Sequence, residues 1–185
     1  MVAPPHGDAA EQVKPYKIER GTRAQSAQLQ RIELAAGARF RDVGMSDIAD
    51  HEPTDASVLE EHADRRRLYV ALAADQTVTG FLIWSPKDGM AYIEEVSVHP
   101  DHAGNRLAAQ MVDRLAVDIR GRHAALSLAT FRDIPWNAPY YASLGFVEIP
   151  CAQVGPDHDM SWQHQSEDGL DMSRRLFMVR PVAEK

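Results

Sequence analysis

Apolar positions recur along the chain with two different periods, and the change comes near residue 68. From Arg23 to Ala36, Leu29, Ile32 and Leu34 stand among good helix formers and Gly37 follows, so a helix is predicted to stop there. Lys17–Thr22, just before it, reads as a short strand. Phe40–His51 is irregular, with Gly44 and a capping Ser46. Pro53 and Thr54 then open a second helix running to about Arg67. These helices and their connection are expected to form a wall of a substrate pocket. Beyond Arg67 the apolar runs shorten. Leu68–Ala74 and Thr77–Trp84, around Asp75 and Gln76, form a hairpin signal; Pro86–Gly89 is a further turn and Ala91–Val98 a third strand. After Pro100 the helical period returns in Leu107, Met111, Val112, Leu115, Ala116 and Ile119, closed by Gly121. Ala124–Thr130 reads as a buried strand, Asn137–Leu144 as a short helix ended by Gly145, and Phe146–Ile149 as another strand. A polar stretch follows, and RLFMVRPV is a last strand.

The length of 185 residues accommodates one domain with a sizeable core. Residues 1–16 are rich in Pro, Ala and polar residues and read as a flexible arm, leaving 17–185 as a single domain. An apolar fraction of 44% and a charged fraction of 25% are ordinary for a globular protein. The formal net charge of -7 argues against a general nucleic-acid partner and is explained well enough by solubility. The one cysteine, Cys151, cannot make an intrachain disulfide, and nothing near it suggests a lowered thiol pKa. No run approaches the roughly 18 apolar residues of a membrane span, and the N-terminus lacks the apolar core of a signal peptide. No membrane partner and a cytoplasmic location are therefore expected. The eight histidines are scattered; His99 and His102 flank a turn with no acidic or Cys partner at metal spacing, so no metal is expected.

The segment VSVHPDHAGNRLA carries the most chemistry. It reads as a strand, a Pro turn, a loop of small residues and a helix start. The first amides of a helix have no intrahelical acceptor, and the helix dipole places partial positive charge there. Gly104 lets the backbone come close to a phosphate, and Ala108 is small where the helix must pass near the ligand. A pyrophosphate site follows, although plain strand–helix connections share these features.

These residues resemble the acyl-CoA signature of the GNAT superfamily of N-acetyltransferases: a strand ending Val-x-Val, then Gln/Arg-x-x-Gly-x-Gly/Ala. The strand end is Val96-Ser97-Val98 and the loop is Ala103-Gly104-Asn105-Arg106-Leu107-Ala108. Ala103 stands where Gln or Arg is usual, and Arg106 where the first motif Gly is usual. The Arg106 side chain could add positive charge near a phosphate or crowd the loop. LSLATFRDIPWNAPYYASLGF resembles a second signature of the same superfamily, through Asn137, Tyr141, Gly145 and Phe146; its Pro-Trp-Asn-Ala-Pro form recurs in a bacterial subgroup. Together the likeness spans about Lys17 to Val182. It implies an α/β fold with a mixed, strongly twisted sheet of about seven strands and helices on both faces. It also implies that the two signature strands splay apart, freeing the amides of Val96 and Val98 for the pantetheine arm and the acetyl carbonyl. Acetyl-CoA is the implied cosubstrate, and family habit suggests a homodimer.

Acetyl transfer to an amine needs a proton acceptor for the amine, donors for the oxyanion, and a proton or cation for the departing thiolate. Strand alternation would put Glu94 and Glu95 on opposite faces, Glu94 with Val96 and Val98. By resemblance to GNAT polyamine acetyltransferases, Glu94 is the first choice of base and Glu95 the second. Tyr141 matches the family tyrosine that protonates the thiolate, and Asn137 is expected either on the pantetheine arm or as a helix cap. Phe40, Trp84, Phe131 and Trp136 are candidate pocket walls. The leading expectation is an N-acetyltransferase acting on a primary amine of a small molecule, by direct attack in a ternary complex. Acetylation of a protein N-terminus or lysine is the alternative within enzymes; a catalytically silent acyl-CoA-binding regulatory module is the alternative outside them.

Overall fold

Apolar residues on both sides of a strand require cover on both sides. Every residue of the strand Leu68–Leu72 is buried, as is Val78–Trp84 of its neighbour. In the computed structural model, which describes residues 16–182, helices supply that cover. In chain order the elements are β1 (Lys17–Arg20), α1 (Ser26–Gly37), α2 (Ser46–Ala49), α3 (Ala56–Asp64), β2 (Leu68–Leu72), β3 (Val78–Lys87), β4 (Met90–Val98), α4 (Leu107–Asp118), β5 (Ala125–Phe131), α5 (Ala138–Ser143), β6 (Val147–Ile149), α6 (Pro156–Glu167) and β7 (Arg175–Pro181). All of the expected arm except Tyr16 lies outside the described residues.

The seven strands form one sheet in the order β1-β2-β3-β4-β5-β7-β6. Every neighbouring pair is antiparallel except β4 and β5. On one face, Leu29 and Ile32 of α1 and Leu59 of α3 pack on Leu68, Val70, Phe81 and Ile83. On the other, Leu107, Met111, Val112 and Leu115 of α4 pack on Tyr69, Leu82, Ile93, Leu126 and Met178, with Ala138 and Phe146 beside them. Side chains that alternate along β2, β3 and β7 thus divide between two cores.

The polar stretch after Ile149 contains α6, an element that the apolar pattern does not signal. Its buried residues are His158 and Ser161. Hydrogen bonds and one aromatic contact dock it instead. His158 Nδ1 lies 2.6 Å from Asp88 Oδ2 and its Nε2 lies 2.8 Å from Ser127 Oγ. Lys87 donates to Ser161 Oγ, and Trp162 lies 4.7 Å from Phe177 between ring centroids. Phe177 sits between Leu176 and Met178 of the α4-side core, so α6 shares a face with α1 and α3. A gap between α1–α2 and α6 is left on that face, above β4 and β5.

Other boundaries differ from the sequence pattern. The second helix starts at Ala56, after an extended Asp55, instead of at Pro53. The strand expected to end at Trp84 continues through Pro86 to Lys87, paired with Met90 and Ala91. The irregular Phe40–His51 region holds a 3-10 segment, Ala38–Val43, and the single turn of α2.

Candidate functional site

The strand–helix turn after β4 has the conformation that a phosphate cradle requires. Pro100–His102 make a 3-10 turn. Gly104 has φ 81° and Arg106 φ 54°, ψ 29°, both left-handed. Glycine reaches that region freely, but an L residue with a Cβ does so at a cost of about 1–2 kcal/mol. Arg106 thus keeps the backbone shape of the usual glycine under strain. Asn105 braces the loop by donating from Nδ2 to the carbonyls of His102 (3.0 Å) and Ala103 (3.3 Å). Gln110 Nε2 donates to Asn105 O at 3.0 Å, and Tyr16 Oη lies 3.0 Å from His102 Nδ1. The first amides of the twelve-residue α4 open beside this loop.

The parallel strands β4 and β5 pair only at Ala91–Leu126 and Tyr92–Ser127. Past Tyr92 they part, and the β5-facing edge of Ile93–Val98 has no strand partner. A cavity of about 690 Å³ fills the opening. Its wall runs from the loop residues Ala103, Gly104, Arg106, Leu107 and Ala108 past Val96 and Val98 to Glu95, Asn137 and Tyr141. The donor set, a helix start beside a left-handed loop and a free strand edge, fits a pyrophosphate joined to an amide-bearing arm, as in coenzyme A.

Two expected cofactor residues lie off this wall. Ser97 is buried on the α1 side and donates to Glu95 Oε1 at 2.7 Å. The Asn105 side chain is used inside the loop. Phe40, Phe131 and Trp136 line the cavity, packed edge to face with Phe40 5.9 Å from Phe131 and 5.8 Å from Trp136. Trp84 does not. It is buried in the α4-side core against His123, because its strand position points away from the gap.

The two adjacent glutamates depart from simple alternation. Ile83 pairs with Glu95 and Trp84 with Ile93, so Glu94 is the extra residue of a β-bulge. Glu94 is therefore not set on the face of Val96 and Val98: it borders the cavity, but its carboxylate turns to the α3 side. It lies 3.1 Å from His62 Nε2 and 3.9 Å from Lys87 Nζ, and accepts from Ser85 Oγ. Burial pushes its pKa up, but the His62 and Ser85 hydrogen bonds and the nearby charges outweigh this and hold it below the usual value. Glu95, opposite Ile83, lies on the same α1–α3 side. Burial, then the like charge of Glu33 on α1, raise its pKa to about 7 against the Ser97 hydrogen bond. Glu33 is itself raised by burial, and accepts from Thr54 N and Oγ1. A smaller cavity of about 180 Å³ between α1 and α2 touches both Glu33 and Glu95.

Tyr141 on α5 stands on the other side of the opening, its ring 5.6 Å from Phe146. Burial, then the charges of Glu95 and Tyr140, raise its pKa, so it keeps its proton throughout the neutral range. Asn137 occupies the cap position of α5, but its side chain makes no capping bond; its carbonyl accepts from Tyr141 N at 2.9 Å. Its amide group is thus available on the cavity wall.

Several lining residues carry no motif in the sequence: Glu33, Ile48, Gln165, Arg175 and Arg39, whose guanidinium lies 4.0 Å over the Trp136 ring. Arg175 had one signal, a charge at an inward alternation position of the final apolar strand.

Residues 32–146, more than half of the chain, match the acetyltransferase (GNAT) family. The chain belongs to that family, whose members are acyltransferases that use acetyl-CoA. Solved structures share the fold at low identity. A GNAT-family acetyltransferase from Staphylococcus aureus is 13% identical, with TM-score 0.67, over 91% of this chain and 100% of that one. The PaiA N-acetyltransferase of Thermoplasma acidophilum, in complex with coenzyme A, is 12% identical, with TM-score 0.64, over 90% of this chain and 99% of that one. The ribosomal-protein-S18-alanine N-acetyltransferase of Escherichia coli is 16% identical, with TM-score 0.61, over 92% of this chain and 96% of that one. Among the described residues no helix is long and apolar enough to cross a membrane.

Proposed function

We propose that this enzyme transfers acetyl from acetyl-CoA directly to a primary amine of a small molecule, within a ternary complex. The observation that carries the proposal is that one cavity joins the phosphate turn to a carboxyl and a phenol with opposite duties. Glu95, with a pKa of about 7, is half ionised near neutrality and close to optimal as a base. Tyr141 holds its proton and is an acid. Glu95 takes a proton from the amine, whose nitrogen lone pair then attacks the acetyl carbonyl carbon. The carbonyl re-forms, the carbon–sulfur bond breaks with its electron pair on sulfur, Tyr141 gives the thiolate a proton, and the excess proton left on the acceptor nitrogen restores the phenol. The free strand edge around Val96 and Val98 supports a role for main-chain donors at the carbonyl oxygen. The Ala103, Gly104, Arg106, Leu107 and Ala108 wall and the Asn137 amide would hold the coenzyme.

Glu95 replaces Glu94 as the first choice of base, because Glu94 is already engaged by three side chains and its pKa is lowered. Glu94 is then a brace between β4 and α3. The aromatic enclosure of Phe40, Phe131 and Trp136 favours a small molecule over a protein terminus. A cytoplasmic setting and a homodimer belong to the same reading; light scattering after gel filtration checks the dimer. The activity is tested by titrating acetyl-CoA calorimetrically, then following thiol release across a panel of amines. Intersecting initial-rate lines are expected. No heat of binding at high micromolar protein removes the reading altogether, and parallel lines remove the ternary complex.

A further inference from the structure

Arg175 is a half-buried cation with no carboxylate in ion-pair contact among the described residues. It leaves β7 on the α1–α6 side and lines the cavity together with Glu95 and Gln165. One of its terminal nitrogens donates to the Ala129 carbonyl at 3.0 Å, and its guanidinium lies 4.7 Å over the Phe131 ring. Its Nε is buried and has no hydrogen-bond partner among the described residues. Its pKa is lowered chiefly by burial. Gln165 presents a second such atom: its Nε2 donates to Tyr92 Oη at 3.0 Å, while its Oε1 is buried and unpartnered.

A desolvated guanidinium is stable only beside negative charge or a full set of acceptors. Glu95 does not meet that need. No carboxylate lies within ion-pair distance, 4.0 Å, of Arg175 among the described residues. Burial and the like charge of Glu33 outweigh the Arg175 charge, the weakest of the influences that lower the Glu95 pKa, so the carboxyl stays raised to about 7 and is only partly ionised as a partner. The neighbouring Arg174, by contrast, is paired with Asp133 at 2.6 Å. Arg175 thus points its fork into the acceptor end of the cavity, fixed by one carbonyl and one aromatic face.

We infer that the acceptor carries a carboxylate as well as its amine, and that Arg175 receives the carboxylate while the amine lies at Glu95. The inference rests on the acetyltransferase reading and names the substrate class for that same site. Glu95 and Arg175 leave strands β4 and β7, which have β5 between them. Because β4 and β5 have parted at this level, the two backbones stand further apart than two strand spacings, which would be roughly 10 Å, and both side chains line the opening between them, leaving room for a small amino acid. Arginine at this place is a specificity residue: its planar fork matches a carboxylate in two points where lysine offers one.

The experiment compares matched pairs. α-Amino acids, and ω-amino acids from glycine to 6-aminohexanoate, are each tested against the amine that lacks the carboxylate. Wild-type enzyme is expected to favour the carboxylate-bearing member by at least about 30-fold in kcat/KM. Arg175→Met should lower kcat/KM for that member by about 10²-fold, mostly through KM, and change the plain amine less than about threefold. Arg175→Lys should recover part of the preference. Acetyl-CoA affinity and the thermal midpoint of each variant should match wild type, which separates the effect from misfolding. Equal turnover of both members by wild type overturns the inference and leaves the acetyltransferase reading standing. Equal loss on both members in a folded Arg175→Met also overturns it. If acetyl-CoA binds but neither member is turned over, the small-molecule reading fails and takes the inference with it.

Discussion

The two ends of the cavity are built by different means. The end proposed to hold the coenzyme is mostly backbone: a left-handed loop, a helix start and the free edge of β4, contributed by consecutive residues from Val96 to Ala108. The acceptor end is side chains from distant elements: Glu33 of α1, Glu95 of β4, Phe131 of β5, Gln165 of α6 and Arg175 of β7. A backbone site tolerates changes of residue type, because any non-proline residue supplies an amide. A side-chain site changes with every substitution. The first end is therefore suited to a constant cosubstrate and the second to a particular acceptor. It follows that substitutions at the acceptor end should move turnover and specificity while sparing coenzyme binding, and that those in the loop should do the reverse.

The strongest break of this division is Glu95→Gln. It removes the proposed base and leaves the shape, so kcat/KM should fall by about 10²- to 10³-fold, with acetyl-CoA affinity within about twofold of wild type by calorimetry. A loss smaller than about threefold would mean that water or another group takes the proton. Tyr141→Phe comes next: kcat should fall by about 10-fold or more, with both KM values nearly constant, because the phenol acts only as the carbon–sulfur bond breaks. A change in KM for acetyl-CoA alone would make Tyr141 a binding residue.

The pH dependence of turnover sharpens the acceptor end further. Glu95 must be ionised to act, so kcat/KM should rise with pH and level off above an apparent pKa near 7. Glu33→Gln removes a like charge and should move that midpoint to lower pH. The sign for stability is opposite to that for activity. The Glu95 pKa is raised by folding, so its contribution to stability is complete below about pH 4.3, the unfolded value, and is lost as pH rises through about 7. Wild type should thus lose stability relative to Glu95→Gln between pH 5 and 8. Denaturant midpoints at both pH values measure this, and parallel curves would count against the raised pKa.

The same division explains what was legible in the sequence. Strands β2–β5 and β7 and the α4 helix announce themselves by apolar pattern because each buries apolar side chains, whereas β1, β6 and α5, which bury little, are legible from short runs and flanking glycines. The phosphate turn was legible because its parts are contiguous. The α6 helix was not: the bonds that dock it join Asp88, Ser127 and His158, separated by tens of residues. The bulge at Glu94 was equally hidden, since it follows from the pairing of β3 with β4 and no local residue type marks it. One inserted residue was enough to bring both glutamates to the α1–α3 side. Glu33 and Arg175 belong to no sequence motif, and only the closed sheet brings them to the two adjoining cavities that share Glu95.

The smallest expected effect tests the coenzyme end, where one residue opposes its own backbone. Arg106 adopts φ 54° with a Cβ, in the position that opens α4, and its side chain lines the cavity. Arg106→Gly relieves strain of about 1–2 kcal/mol, while glycine's freedom in the unfolded chain returns about 0.5–1 kcal/mol. The net gain should lie between zero and about 1.5 kcal/mol, a rise of at most about 5 °C in thermal midpoint for a chain of this size. Arg106→Ala keeps the Cβ and its strain, so its midpoint should not rise. Both variants lose a cation beside the phosphate cradle, and both should bind acetyl-CoA several-fold more weakly at low salt, with the difference shrinking as salt is added. A tighter complex with Arg106→Gly would show that the side chain crowds the loop, and the coenzyme end would then depend on a side chain after all.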